Sequence, residues 1–183
     1  MVSIKNVDAE LKAGRSILLL LVDNRADASK SMLKTAVAKG LGGVYVTIAE
    51  PYSSIVKKLE LEKINLEKVL FLDAITVMIS GTVEKTGKCI YVNSPKHLTD
   101  MSIALDNAIS SMKEEKKFVL FDSLGALLIH NDLPNIQKFV HFFTAKMRAL
   151  NVYSFLISLE NEIDPKTLTV LSTFCDSVLK IKA

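Results

Sequence analysis

The segment that decides the fold is SILLLLVDNRADASKSMLKTAV, residues 16–37. It contains six consecutive apolar side chains, Ile17–Val22. An unbroken run of this kind is typical of a strand that is buried on both faces of a parallel sheet. The apolar residues that follow recur at three- and four-residue intervals: Met32, Leu33, Ala36, Val37 and Leu41. This spacing predicts a helix directly after the strand.

The same alternation continues to the end of the chain. Including Ser16–Val22, seven apolar runs have the composition of buried strands; the other six are Gly43–Ile48, Val69–Leu72, Cys89–Val92, Phe118–Phe121, Tyr153–Leu159 and Ser177–Ile181. Helical spacing returns around Ile55–Leu59, in Met101–Met112 after a Thr99 N-cap, and in Ile136–Met147 after Asp132 and Pro134. We therefore predict a single α/β domain over residues 1–183, with a mostly parallel central sheet in a three-layer α/β/α arrangement. The irregular stretch Thr76–Lys88 is expected to be a surface loop or a hairpin.

Composition excludes several classes of protein. Lys and Arg number 23 against 20 Asp and Glu, and this excess is too small and too evenly spread for a nucleic-acid-binding surface. The two cysteines, Cys89 and Cys175, are far apart, which favours buried packing in a reducing cytoplasm over a disulfide or a zinc site. The longest apolar run is too short to span a bilayer. We expect an intracellular protein without a membrane segment.

The turn after the first strand has part of a phosphate-binding motif. A working loop reads G-x-x-x-x-G-K-[ST], in which glycines let backbone N–H groups surround phosphate and the Ser or Thr binds magnesium. In this register Asn24 and Ser29 replace the two glycines, while Lys30 and Ser31 retain the Lys-Ser pair. The alternative is an ordinary strand-to-helix turn that is capped by Asp27 or Ser29 and leaves Lys30 exposed.

Acidic residues end two later strands. Phe118–Phe121 is followed by Asp122 and Ser123, and an apolar run that ends in Asp matches the pattern that orients magnesium-bound water. The alternative role for such an Asp is helix capping. Glu50 follows Gly43–Ile48 and is a candidate general base, or equally an exposed cap of the next helix.

Together these segments resemble the KaiC-type branch of the RecA-like P-loop ATPases, especially its small single-domain archaeal-type members. The supporting phrases, in chain order, are VYVTIAEPYSSIVKKL, NLEKVLFLDAI, VNSPKHLTDMSIALDNAI, FVLFDSLGALLIHNDLPNIQKFVHFF and FCDSVLKI. The resemblance implies a RecA-like fold, ATP and magnesium as cofactors, and assembly into rings or filaments. The family order, together with the buried-strand composition, also predicts that the strands Ser16–Val22 and Phe118–Phe121 are adjacent at the centre of the sheet. By position, Lys30 would contact phosphates, Ser31 and Asp122 would hold magnesium, and Glu50 would lie near the attacking water.

Three departures from the family pattern concern chemistry and none concerns the fold. Both glycines are missing from the degenerate Walker A loop, the expected pair of acids reads Ala49-Glu50, and the chain stops at Ala183. We therefore expect a non-hydrolysing regulatory or scaffolding module that binds a protein partner or itself, with weak or absent ATP binding. The alternatives are an ATPase that uses Lys30, Ser31 and Asp122, and a DNA recombination accessory protein.

Overall fold

A computed structural model of the protein describes residues 4–83 and 85–181. Within these ranges helices and strands alternate along the chain, except that two helices lie between the fifth and sixth strands. In chain order they are α1 (Ile4–Lys12), β1 (Ile17–Val22), α2 (Arg25–Ala38), β2 (Gly42–Thr47), α3 (Tyr52–Leu61), β3 (Val69–Asp73), α4 (Thr76–Ser80), β4 (Cys89–Tyr91), α5 (Leu98–Ser111), β5 (Lys117–Asp122), α6 (Leu124–His130), α7 (Leu133–Ala149), β6 (Tyr153–Leu159), α8 (Pro165–Ser172) and β7 (Ser177–Ile181). All seven predicted strands are confirmed, and their ends differ from the predictions by at most one residue.

The strands form one sheet in the order β4-β3-β2-β5-β6-β1-β7, and every neighbouring pair is parallel. Side chains of each strand alternate between two cores. Ile17, Leu19 and Leu21 of β1 lie in the core beneath α5, α6 and α7, whereas the intervening β1 residues lie in the core beneath α1, α2 and α3. The predicted three-layer α/β/α architecture is confirmed, and it is consistent with a RecA-like fold.

One detail of the expected topology is wrong. The motif strands β1 and β5 were expected to be neighbours at the centre of the sheet, but β6 lies between them. β5 occupies the centre, and β1 lies next to the edge strand β7. Apolar composition shows that a strand is buried in the sheet, but it does not show which strand is its neighbour.

Helix ends follow the predictions in part. Asp132 is the N-cap of α7, where its side chain accepts a hydrogen bond from Asn135 N, and Pro134 lies in the first turn as predicted. The predicted Thr99 cap is wrong, because α5 begins at Leu98 after His97. The stretch Thr76–Lys88 is not entirely a loop, since its first five residues form α4.

Cys89 is buried and Cys175 is partly buried, and both are free thiols. Burial raises the pKa of each thiol to about 12, so both are inert packing groups, as expected. Among the described residues, no helix has the length and apolar character needed to cross a membrane.

Candidate functional site

A cleft opens where the chain reverses its direction of travel across the sheet. β2 is followed by β3 on one side, and its neighbour β5 is followed by β6 on the other. The loops that leave the carboxyl ends of β2 and β5 therefore diverge, and ligands of open α/β sheets bind at such points. A cavity of about 310 Å³ lies there, between α2 and α3. We call it the β2–β5 cleft.

The floor of the cleft is built around Asp122, the last residue of β5. Ser29 Oγ donates a hydrogen bond to Asp122 Oδ2 at 2.8 Å, and Tyr45 Oη donates to the same oxygen at 2.6 Å. Arg25 Nε lies 3.2 Å from Oδ1. Arg25 Nη1 also donates to Ser123 Oγ at 3.4 Å, and this hydroxyl oxygen caps α6 by accepting from Ala126 N. The Asp122 carboxylate thus joins α2, β2 and β5, and Arg25 extends the network through Ser123 to the start of α6.

Burial dominates the electrostatics of this network. Asp122 is about nine-tenths buried, and burial raises the pKa of its carboxyl group even though Tyr45 and Arg25 act in the opposite direction. Burial likewise raises the pKa of Tyr45 well above 10, and the charge of Asp122 adds to that effect. Asp122 Oδ1 accepts no hydrogen bond among the described residues, so its contact with Arg25 is an ion pair without an aligned hydrogen bond.

The connection from β1 to α2 contains only two residues, Asp23 and Asn24. Asn24 is the N-cap of α2, because its Oδ1 accepts from Asp27 N at 3.2 Å and its carbonyl accepts from Ala28 N at 3.1 Å. The alternative that Asp27 or Ser29 caps α2 is therefore wrong, because the N-cap is Asn24. Residues 25–30, which would form most of a phosphate-binding loop, are already helical.

Lys30 and Ser31 do not join Asp122. Lys30 Nζ lies 3.2 Å from Glu62 Oε1 and 3.3 Å from Asp27 Oδ1, and hydrogen bonds to these two acids raise the pKa of its ammonium group. Ser31 follows Ser29 by two positions, which is roughly 200° around the helix. Its carbonyl accepts a hydrogen bond from Thr35 within α2. The serine that faces Asp122 is Ser29, which occupies a glycine position in the register of the motif.

Glu50 lies on the other wall of the cleft and is also engaged. Lys58 Nζ donates to Glu50 Oε1 at 2.6 Å, and Ser54 Oγ donates to the same oxygen. Burial raises the pKa of Glu50, but these two hydrogen bonds outweigh it and leave the pKa lowered. A carboxylate held ionised by a lysine is a weaker proton acceptor than a general base requires. The alternative role as an exposed cap is wrong as well, because Pro51 is the N-cap of α3 and the Glu50 carboxylate accepts hydrogen bonds from side chains of that helix.

Three residues of the cleft were missed by the sequence reasoning: Arg25, Tyr45 and Lys58. Arg25 gave a weak signal as the only arginine close to the end of an apolar strand. Tyr45 and Thr47 are the two hydroxyl-bearing side chains of the run Gly43–Ile48, and a tyrosine hydroxyl usually finds a partner when it is buried. Lys58 gave no signal in the sequence. It lies eight residues after Glu50, and the two side chains meet only when α3 folds back along β2.

The described residues do not fit magnesium and a triphosphate in the way that the motif predicts. The carboxylate expected to hold the metal is paired with Arg25, Ser31 does not line the cleft, and Lys30 is paired with two acids. No group of three or more His, Cys, Asp or Glu side chains suited to a metal ion occurs in the described part of the chain.

Comparisons with known proteins place the chain by fold and family. A family described only as one of unknown function, DUF7504, matches residues 20–181. A solved structure from Pyrococcus horikoshii OT3, described as a structural-study project, superposes with a TM-score of 0.62 at 16% identity; the match covers 90% of this chain and 81% of that one. At that identity the likeness shows the fold alone. No curated protein matches the chain significantly.

Proposed function

We propose that this chain, which belongs to the family of unknown function DUF7504, is a RecA-like regulatory or scaffolding module that binds ATP weakly or not at all and does not hydrolyse it. The proposal keeps the resemblance to the small KaiC-type proteins and assigns to this chain a nucleotide site that has been closed. Its location in the cytoplasm is part of the proposal, supported by two free cysteines that are far apart in the fold.

One observation carries the proposal: Arg25 begins α2 after a connection of only two residues from β1, and its guanidinium lies against Asp122. A phosphate-binding loop works through several backbone N–H groups that curl around the anion before the helix begins. Here the equivalent residues belong to the helix, where Asp27 N and Ala28 N already donate to Asn24. The positive charge that would accompany a nucleotide is replaced by an arginine that belongs to the chain.

The alternative of an active ATPase requires several of these contacts to break together. Arg25 would have to leave Asp122, Lys30 would have to leave Glu62, and Glu50 would have to leave Lys58. Preorganised charge stabilisation is usually the largest contribution to phosphoryl transfer, and an enzyme that must first dismantle three ion pairs lacks it. The DNA-accessory alternative finds no support in a formal charge of +3.

The direct experiment is a titration with fluorescent ATP and ADP, with and without magnesium, together with a turnover assay. We expect no saturable binding at micromolar protein and no magnesium-dependent hydrolysis. The matched variants are Lys30→Ala and Lys34→Ala, two lysines on the same helix, of which only Lys30 belongs to the motif. Hydrolysis that requires magnesium and is lost in Lys30→Ala but kept in Lys34→Ala would establish the ATPase alternative.

Binding to a protein partner or self-association completes the proposal. Large apolar side chains remain exposed on the α5–α7 face, with Phe142 71% and Ile103 54% exposed. Exposed apolar residues that cluster on one face mark interaction surfaces more often than chance. Light scattering across a range of protein concentrations tests self-association, and a strictly monomeric protein would leave only the heterologous partner.

A further inference from the structure

We infer that the β2–β5 cleft binds a small monocarboxylate with an apolar body, with Arg25 as the carboxylate-binding residue. This inference deepens the proposed function and rests on it, since a regulatory module needs a signal to respond to and this cleft no longer fits a triphosphate. The cavity volume of about 310 Å³ lies at the lower end of the range for ligand pockets, which selects a small molecule.

The contacts of Arg25 fix the position of its guanidinium group but leave one of its nitrogen atoms available to a ligand. Nε faces Asp122 Oδ1 and Nη1 donates to Ser123 Oγ, while Asp122 is itself fixed by Ser29 and Tyr45. Nη2 makes no hydrogen bond in the described part of the chain, and the side chain remains 29% exposed within the cleft. A planar guanidinium whose position is fixed on one side and free on the other is suited to receive a carboxylate.

The backbone beside Arg25 favours the same kind of ligand. Asn24 takes the N–H groups of Asp27 and Ala28, which leaves the first two N–H groups of α2, those of Arg25 and Ala26, without a partner among the described residues. Ala26 lines the cavity together with Arg25. These amides and the helix dipole add to the attraction that the guanidinium exerts on an anion.

Apolar side chains form part of the opposite wall of the cleft, beside Glu50 and Lys58. Ile55, Leu59 and Leu61 of α3 face the cavity, and Leu61 at its mouth is 84% exposed. An alkyl or aryl group against this wall would remove Leu61 from water, whereas an inorganic anion would leave it exposed. The wall therefore selects a carboxylate that carries an apolar body over phosphate or sulfate.

The charges around the cleft limit the ligand to a single negative charge. Four carboxylates line it, those of Asp27, Glu50, Glu62 and Asp122, against the three cations Arg25, Lys30 and Lys58. All four acids are already paired: Asp27 and Glu62 with Lys30, Glu50 with Lys58, and Asp122 with Arg25. The free edge of Arg25 is therefore the place in the cleft where one ligand carboxylate can approach. A triphosphate would bring several negative charges close to the same acids, and their repulsion grows with each added charge.

The test is calorimetric titration of the full chain with hexanoate, with hexanamide as a neutral ligand of the same shape, and with inorganic phosphate and ATP. We expect saturable binding of hexanoate, binding of hexanamide weaker by about tenfold or more, and none of phosphate. The same protein followed by NMR should show hexanoate-dependent shifts at the Ala26 and Ala49 amides. Equal binding of hexanoate and hexanamide, or no binding of hexanoate, would overturn the inference.

Two variants locate the site. Arg25→Gln combined with Asp122→Asn removes both charges together, and we expect it to lower hexanoate affinity by about tenfold or more. Leu61→Asp changes an exposed side chain, so folding is unaffected, and the added acid at the mouth should weaken binding by about fivefold or more. Arg148→Gln, at an arginine outside the cleft that also pairs with an aspartate, should bind hexanoate like the parent.

The outcomes separate this inference from the proposed function. Hexanoate binding that survives in both the Arg25/Asp122 and the Leu61 variants contradicts the cleft as the site. Tight ATP binding with hydrolysis contradicts the proposed function, and the inference falls with it. If neither ATP nor hexanoate binds, the closed nucleotide site stands and only the carboxylate ligand is rejected.

Discussion

Two arginine–aspartate pairs lie at opposite edges of the sheet and show how burial changes the role of the same two residue types. At the carboxyl edge, Arg25 pairs with Asp122 in the cleft. At the amino edge, Arg148 Nη2 and Nε donate to Asp176 Oδ1 at 2.7 and 3.0 Å, and Asp176 Oδ2 accepts from the amides of Ser16 and Ile17, both at 2.9 Å. Asp176 thereby ties the start of β7 to the start of β1.

The pKa values of Asp122 and Asp176 are shifted in opposite directions from the ordinary value of an aspartate. Burial alone raises the pKa of Asp176, but the backbone amides and the two-pronged contact with Arg148 outweigh it and lower the pKa below 3.8. Asp122 is more deeply buried, its Oδ1 lacks a hydrogen bond, and its pKa is raised above 3.8. The Asp176 pair is therefore organised to stabilise the fold, whereas the Asp122 pair keeps a charge in a place where solvation is poor, as functional sites do.

The largest difference between the pairs should appear when the arginine is removed. Arg25→Ala leaves a buried carboxylate without its cation, and we expect the free energy of unfolding to fall by about 3 kcal/mol. Chemical denaturation at neutral pH measures it. Adding Asp122→Asn to the variant should restore part of the loss, because an amide needs no counter-charge. A loss below about 1 kcal/mol for Arg25→Ala would mean that Asp122 is already protonated in the folded protein.

The pH dependence of stability should have opposite signs for the two aspartates, with slopes of at most about 1.4 kcal/mol per pH unit for each carboxyl group. The raised pKa of Asp122 means that its contribution is complete below pH 3.8 and is lost as the pH rises through the folded-state pKa. The lowered pKa of Asp176 means that its contribution is present above pH 3.8 and is lost as the pH falls through the folded-state pKa. The check is to measure the free energy of unfolding of the parent, Asp122→Asn and Asp176→Asn proteins from about pH 2.5 to about pH 7, at intervals of about half a pH unit. Slopes of the same sign would contradict the comparison.

Arg148→Ala should have the smallest effect, a loss of about 1 kcal/mol in the free energy of unfolding. Arg148 is 40% exposed, and Asp176 would keep its two backbone hydrogen bonds after the arginine is gone. Thermal and chemical denaturation of the variant, compared directly with Arg25→Ala, gives the ranking. If Arg148→Ala lowers the free energy of unfolding as much as Arg25→Ala does, the difference in solvent exposure does not explain the contribution of each pair to stability.

Sequence patterns predicted the strands better than the helices. Runs such as Ile17–Val22 and Phe118–Phe121 must be apolar throughout, because both faces of a parallel strand are covered, and few other structures require that composition. Short helices lack such a signature. The α6 segment Leu124–His130 continues the apolar character of β5, and α4 is a single helical turn without a buried residue. Both were therefore missed.

The candidate site was predicted in part. Asp122, Ser123, Ser29 and Glu50 do line or border the cleft, because the motif register located the carboxyl ends of the strands correctly. Lys30 also lines the cleft, but it is paired with Asp27 and Glu62. Ser31 was placed in the site by analogy with a loop and does not line the cleft, because the chain continues there as a helix. A helix turns each successive side chain by about 100°, so Ser29 faces inward while Ser31 faces away.

The sequence by itself determined the α/β class, the seven strands and the absence of glycines from the motif, since each of these depends on residue type and local spacing. Only the tertiary structure decided the strand order, which separates β1 from β5, and the partner of each charge. Arg25 and Asp122 are 97 positions apart, and Lys30 and Glu62 are 32 apart. No local pattern specifies which opposite charge meets which, because those pairs form only when α2 and α3 pack over the sheet.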